Sequence, residues 1–297
     1  MTRIFRVAFL MIFGLILWSD ASAMVETKSY KSEQRRNLKA TSFLDYPPFG
    51  NVYTYKSLPK LDTIYKQFIE NYAQANNYDI SYVINKPYPK LVMDILRGEI
   101  DVILGIYYDT KMYNGIEYIY PSILNNPMTV VMLPSRINEV KKMDDLKNLK
   151  GAMDSREHLA DYVKTALKNY NIKYYDNSEK LYKQLFTGEV DYVFTSQYYG
   201  LIETSKLGIR NQVSFAKQSL WDMPLFIGIS KTSHLRKPLR ATLQKMIKDP
   251  QTKKQLEQYL IETINRIQRE NIGVVPPAYT RAQPAERQPA AISDQTN

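Results

Sequence analysis

One short pattern, met once in each half of the chain, constrains the fold more than any other feature. Leu96-Arg97-Gly98-Glu99-Ile100-Asp101-Val102-Ile103 parallels Phe186-Thr187-Gly188-Glu189-Val190-Asp191-Tyr192-Val193. Each copy reads as a helix end, a glycine stop and an acidic turn into an apolar strand. Two such units in corresponding places predict two α/β lobes of similar build. The rest of the chain keeps the same alternation. Strands are expected over 38–44, 80–84, 101–106, 128–133, 150–153, 172–175, 190–195 and 225–230. Helices are expected around Ile64, Phe68, Tyr72 and Ala75, and over 91–97, 181–187 and 198–207. A further helix is expected from a cap at Asp154 and Ser155 to about residue 170. One or two C-terminal helices run over 235–268, with a break at Asp249-Pro250. Asp45-Tyr46-Pro47-Pro48-Phe49-Gly50 is a loop, because its two prolines forbid a ladder or a helix interior. Right-handed crossovers make the sheets mixed and mostly parallel. The fold class is therefore α/β, with two lobes of similar build whose strand ends face a shared cleft. Ligands in such folds sit outside the carboxyl ends of the strands.

Composition removes several kinds of chemistry. There is no cysteine, which excludes disulfides, thiolate metal sites, a thiol nucleophile and a lipid-modified cysteine. Two histidines are too few for a histidine-rich metal centre, and no metal or cofactor is expected. No glycine-rich dinucleotide or phosphate-binding loop occurs. The net charge is +10, but the basic residues are interspersed with acids and form no block, so nucleic acid is not an expected partner. Tyrosine is abundant, at 24 residues, and suits both cores and ligand clefts.

The ends of the chain read differently from its middle. Arg3 and Arg6, an apolar run over 7–18 and the triplet Ala21-Ser22-Ala23 make a cleavable secretory signal over 1–23. The run is shorter than the roughly 20 residues of a spanning helix. A polar leader over 24–37 follows. Lobe 1 is expected over 38–131, lobe 2 over 132–225, and the return to lobe 1 with the C-terminal helices over 226–268. Residues 269–297 are rich in Pro, Ala and Gln and are expected to be a disordered tail.

The ordered pieces together resemble the periplasmic solute-binding proteins of the amino-acid type, solute-binding family 3. They are the first strand with Asp45-Tyr46-Pro47-Pro48-Phe49; residues 96–105; Pro121 after Glu117-Tyr118; Asp145-Leu146-Lys147; residues 186–191; and residues 225–231 followed by Pro238-Leu239-Arg240. The resemblance implies a type II binding fold, two Rossmann-like lobes joined by two crossing segments around a central cleft, that closes on a solute by a hinge motion. It also implies a monomer that delivers a small solute to an inner-membrane ABC permease from the periplasm. Two departures stand out. In amino-acid binders of this family an Arg seven residues after the glycine of the third strand grips the ligand carboxylate. Counting from Gly105, that place is held by Met112. An Asp five residues after the second-lobe strand-start Asp holds the ligand ammonium, and counting from Asp191 that place is held by Ser196. An unpaired charge in a closed cleft costs several kcal/mol. A standard α-amino acid is therefore not the expected ligand.

The candidate ligand-binding residues lie at strand ends. Asp45, Tyr46 and Phe49 offer an aromatic cleft wall or a packed turn. Tyr107, Tyr108 and Asp109 follow the third strand, and alternation would let one tyrosine face the cleft. Met112 follows them. Asp154, Ser155 and Arg156 would open a helix whose first amides and guanidinium attract anions. Thr195, Ser196 and Gln197 end a second-lobe strand and offer neutral hydrogen bonds. His158 and His234 read as surface residues. No catalytic residue is assigned. An enzyme of dehydratase type on the same fold, drawing on Asp45, Asp109 or Asp154, and a sensor that binds a protein partner are the alternatives.

Overall fold

A computed structural model describes residues 35–43, 45–55, 58–84, 86–112, 114–277 and 279. The expected signal over 1–23, residues 24–34 of the expected leader over 24–37 and most of the expected tail lie outside the described residues, and β1 takes up the leader's end from Arg36.

The first half comprises β1 (Arg36–Ser42), β2 (Asp45–Tyr46), β3 (Gly50–Tyr55), β4 (Leu58–Asp62), α1 (Lys66–Ala75), β5 (Tyr78–Tyr82), α2 (Tyr88–Arg97) and β6 (Val102–Tyr107). A 17-residue strand, β7 (Ile116–Met132), leads into the second half. That half holds β8 (Lys150–Asp154), α3 (Asp161–Leu167), β9 (Asn171–Tyr175), α4 (Ser178–Thr187), β10 (Tyr192–Ser196), α5 (Gln197–Lys206) and β11 (Ser214–Phe215). The chain returns through β12 (Trp221–Ser230) and ends on α6 (Arg236–Lys248) and α7 (Pro250–Glu270).

The two halves have the same plan. On one side the strand order is β5-β1-β6-β12-β7, and on the other it is β9-β8-β10-β7-β11. In each, the first three strands are parallel and the last two pairings antiparallel. Strand β7 serves both: its early residues pair with β12, and Met128 to Met132 pair with β10 and β11. This is the two-lobed α/β architecture that the repeated motif predicts. Every side chain of β6 and of β10 is buried, because helices cover both faces of these central strands.

The repeated motif has the same structural meaning twice. Gly98 and Gly188 cap α2 and α4 in the left-handed region, at φ 78° and 80°. Asp101 exchanges hydrogen bonds with the backbone of Lys39: its Oδ2 accepts from the Lys39 amide at 2.9 Å, and its own amide donates to the Lys39 carbonyl. Asp191 does the same with Lys150, whose amide reaches Oδ2 at 2.8 Å. Each acid thus splices the start of a central strand to its neighbour. Asp101 is buried and also accepts from Ser233 Oγ, whereas Asp191 is half-buried and pairs with Arg136. Asp101→Ala should destabilise the fold by about 2 kcal/mol and Asp191→Ala by less, since a buried donor left unpaired costs about 1–3 kcal/mol. Urea denaturation of both variants checks this, and equal losses would remove the role assigned to burial.

Three expectations need correction. Asp154 does not start a helix. Its carboxylate turns back onto the Arg156 amide and guanidinium, residues 157–160 have no regular structure, and α3 begins only at Asp161. The local turn satisfies the amide that a first helical turn would have used. Residues 50–55 and 58–62 form a small antiparallel sheet with β2, which the proline loop obscured. The last helix runs to Glu270, and Tyr279 of the expected tail stacks on Phe186 with ring centroids 4.9 Å apart. Among the described residues, no helix is long and apolar enough to cross a membrane.

Candidate functional site

The carboxyl ends of β1, β6, β8 and β10 converge where β7 passes between the lobes. After β1 the chain gives Phe43 and then the turn holding Tyr46. This turn is tight because a Cβ on Gly50 would lie 1.4 Å from the Phe43 carbonyl oxygen. After β6 come Tyr108 and Asp109. After β8 the irregular segment brings in Glu157 and His158. Strand β10 ends on Thr195 and Ser196.

These groups meet around two buried polar side chains. Asn126, in the middle of β7, is fully buried. Its Nδ2 donates to the Tyr107 hydroxyl at 2.7 Å and to the Tyr46 hydroxyl at 3.3 Å. Its Oδ1 accepts from Ser196 Oγ at 2.6 Å. Glu157 is buried beside it. Its Oε2 accepts from the Tyr46 hydroxyl at 2.5 Å, and its Oε1 accepts from the Thr195 hydroxyl and, at 3.0 Å, from the Ser196 amide. Donors from both lobes therefore close on one carboxylate, and all are neutral. Burial pushes the Glu157 carboxyl up to about 7, against the lowering effect of these hydrogen bonds. Burial first, and Glu157 second, hold the Tyr46 hydroxyl well above its ordinary range.

An aromatic cage adjoins the carboxylate. The His158 ring lies nearly parallel to Phe43 with centroids 4.6 Å apart, 5.0 Å from Tyr88 and edge-on to Tyr46 at 5.2 Å. A residual cavity of about 90 Å³ remains, walled by Phe43, Tyr88, Tyr107, Tyr108, Met112 and His158 and by three acids, Asp109, Glu157 and Asp161, with one base, Lys164. Ligand pockets usually measure about 300–1,000 Å³, so this cleft is closed largely on the protein's own side chains. Hollows of about 550 Å³ beside α1 and α7 and about 600 Å³ beside β11 are larger, but neither gathers the strand ends.

The candidate residues divide accordingly. Tyr46, Thr195 and Ser196 clasp Glu157 directly or through the shared network. Tyr107, Tyr108, Asp109 and Met112 line the cavity. Both tyrosines reach it because Tyr108 lies past the end of β6, where strand alternation no longer applies. Phe49 is buried behind Tyr46 and belongs to the core, with Tyr65 and Tyr198. Asp45 pairs with Asn51 in the small sheet. Ser155 and Gln197 are exposed. Arg156 is engaged by Asp154, which takes its Nη2 at 2.7 Å and its Nε at 3.0 Å, so it is not a free anion anchor. Phe43, Tyr88, Asn126, Glu157 and His158 complete the site, and sequence reasoning passed over them. His158, expected at the surface, is instead half-buried in the cage. The available signal was only position: Glu157 and His158 follow the first strand of the second half, where ligand groups gather. No cluster of three or more metal-ligating side chains occurs among the described residues.

The two halves with their shared crossing strands are similar in fold to solved two-lobed substrate-binding proteins. A substrate-binding protein of an amino acid ABC transporter from Streptococcus pneumoniae, bound to L-arginine, superposes with a TM-score of 0.59 at 13% identity, over 78% of this chain and 95% of that one. A putative ABC transporter binding component from Wolinella succinogenes, complexed with lysine, gives 0.62 at 15%, over 77% and 96%. An ancestral amino-acid-binding protein described as a precursor of cyclohexadienyl dehydratase gives 0.56 at 14%, over 77% and 95%. At such identities the likeness is one of fold. No family model matches the sequence, and no curated protein does.

Proposed function

We propose that the protein binds a small solute between its lobes in the periplasm and delivers it to an ABC-type importer, and that the solute is not a standard α-amino acid. The convergence of donors from both lobes and the crossing strand on Glu157 carries this reading. It couples the closed arrangement of the lobes to the chemistry of the cleft. The case against a zwitterion rests on two positions. Met112 puts a thioether on the cavity wall where the resemblance puts an arginine. Ser196 Oγ is engaged by Asn126 where the resemblance puts an aspartate. The neighbours in fold named with L-arginine and lysine support solute binding as the general role.

A thermal-shift screen of the purified protein tests this. A solute that binds only the folded state at a hundred times its Kd adds about 2.7 kcal/mol. The expected result is a clear shift with one class of non-amino-acid solute and none with ordinary amino acids. A shift with ordinary amino acids would overturn the alignment at Met112 and Ser196.

Glu157 also favours a second reading. A buried carboxyl that titrates near neutrality inside a cleft is suited to general acid–base chemistry. It replaces Asp45, Asp109 and Asp154 as the group a dehydratase-type reaction would use. Turnover of a bound solute that disappears in Glu157→Gln would establish this reading, and release of the solute unchanged would remove it.

A further inference from the structure

We propose that the solute is a small organic cation without a carboxylate, and that the His158 ring holds its seat in the solute-free protein; this rests on the solute-binding reading above. Three independent features of the cleft converge on a cation. The first is the seat. Phe43, Tyr88 and Tyr46 surround the His158 ring at 4.6, 5.0 and 5.2 Å between centroids. Such rings present their negative faces or their hydroxyl-bearing edges to the guest, and a cation within about 6 Å of an aromatic centroid gains from the quadrupole. The second is the carboxylate. Glu157 lines the same cavity and meets only neutral donors, so a guest ammonium or guanidinium would supply the counter-charge its surroundings lack. Asp109 adds a second carboxylate on the wall, with Oδ1 turned to its own Lys111 amide at 2.8 Å.

The third feature is where the basic groups are. Lys111 lies outside the cavity and Lys164 on its wall; both are largely exposed and both reach Asp161, at 3.0 and 3.6 Å. Arg156 is folded onto Asp154. An anionic guest would therefore meet Glu157 and Asp109 and find the one lining cation, Lys164, already paired with Asp161. The cavity of about 90 Å³ also sets the scale: the guest takes the place of an imidazole ring and little more. A cation of this size fits only if the His158 ring swings out of the cage as the guest enters, while Glu157 beside it keeps its bonds to Tyr46, Thr195 and Ser196.

Isothermal titration calorimetry on the purified full chain tests this with tetramethylammonium, methylguanidinium and 1,4-diaminobutane. Acetate, glutamate and neutral tert-butanol are the counter-probes. At least one cation should bind with a Kd below about 1 mM, and the counter-probes should not. Glu157→Gln and Phe43→Leu should each weaken that binding at least tenfold. His158→Ala should tighten it several-fold, since the resident ring no longer competes. Circular dichroism confirms that each variant is folded. Binding of an anion or neutral solute in place of the cations would overturn the cation assignment and leave the solute-binding reading standing. Cation binding that neither Glu157→Gln nor Phe43→Leu weakens would overturn the site. Weaker binding in His158→Ala would overturn the displaced-ring idea. Silence of the whole set, and of the wider solute screen, in both the wild type and His158→Ala would overturn both readings.

Discussion

Replacing Glu157 by glutamine should stabilise the protein by roughly 3 kcal/mol above pH 7 and change little at pH 4. Burial lifts the folded-state pKa of this carboxyl from an ordinary 4.5, at which the unfolded chain titrates it, to about 7. The folded protein thus holds the proton more tightly than the unfolded chain does. The contribution of Glu157 to stability is full below about pH 4, declines as the pH rises, and is wholly lost above about pH 7. A difference of this size, at about 1.4 kcal/mol for each pH unit of displacement, gives the roughly 3 kcal/mol expected. Glutamine keeps the shape and an acceptor for Thr195 and the Ser196 amide, but it cannot ionise.

Urea denaturation at pH 4, 6 and 8 of wild type and variant checks the prediction. The difference should grow steadily with pH. The groups around Glu157 do not supply that trend. Tyr46 and Tyr107 are held above their ordinary range by burial, and Asp154 is held below its own by Arg156 against the opposing effect of burial. A pH-independent difference would mean that Glu157 is ionised and well solvated in the folded protein. A stability defect retained at neutral pH is what a binding site keeps when its counter-charge arrives with the ligand.

The parts of the fold that were legible in the sequence are those fixed by local chemistry. Gly98 and Gly188 stop helices because only glycine enters the left-handed region cheaply there, and that can be read from eight residues. Asp249-Pro250 ends α6 and starts α7 because proline cannot continue one helix yet suits the first position of the next, with Asp249 as its cap. The wrong reading at Asp154 shows the limit. Asp-Ser before an apolar stretch is a sound helix start, yet Asp154 here spends its acceptors on Arg156, Ser178 and Tyr199. That frees Glu157 to enter the cleft. The contacts that define the site join residues far apart in sequence, Tyr46 with Glu157 and Asn126 with Ser196. Periodicity carries no information on such pairs. Asn126 sits in a strand of which only the last part reads as apolar, and nothing local marks it as the polar centre of the molecule.

Asn126 is the residue whose loss should damage the protein most. Asn126→Ala should cost about 3–4 kcal/mol, because one fully buried amide satisfies hydroxyls from three elements. Tyr46 would keep Glu157 as acceptor, and Ser196 Oγ would keep the Tyr199 amide as donor at 3.3 Å. Tyr107 would lose the partner its buried hydroxyl has in this network, and unpaired buried groups cost about 1–3 kcal/mol each. The remainder is the space the amide fills. This account makes a sharper prediction for the double variant. Asn126→Ala with Tyr107→Phe removes the orphaned hydroxyl together with its partner, so it should be less damaging than the sum of the two single changes by about 1–2 kcal/mol. Denaturation of the four proteins of this cycle gives the coupling directly. Strict additivity would mean that water already serves Tyr107, and that β7 is held between the lobes by its backbone ladders alone. Coupling of the expected sign would make Asn126 the joint through which Tyr46 and Tyr107 on one side, and Ser196 on the other, sense each other's position. Solute entry against Glu157 would then have to be felt in both lobes, since Tyr46 and Ser196 each contact that carboxylate and this amide at once.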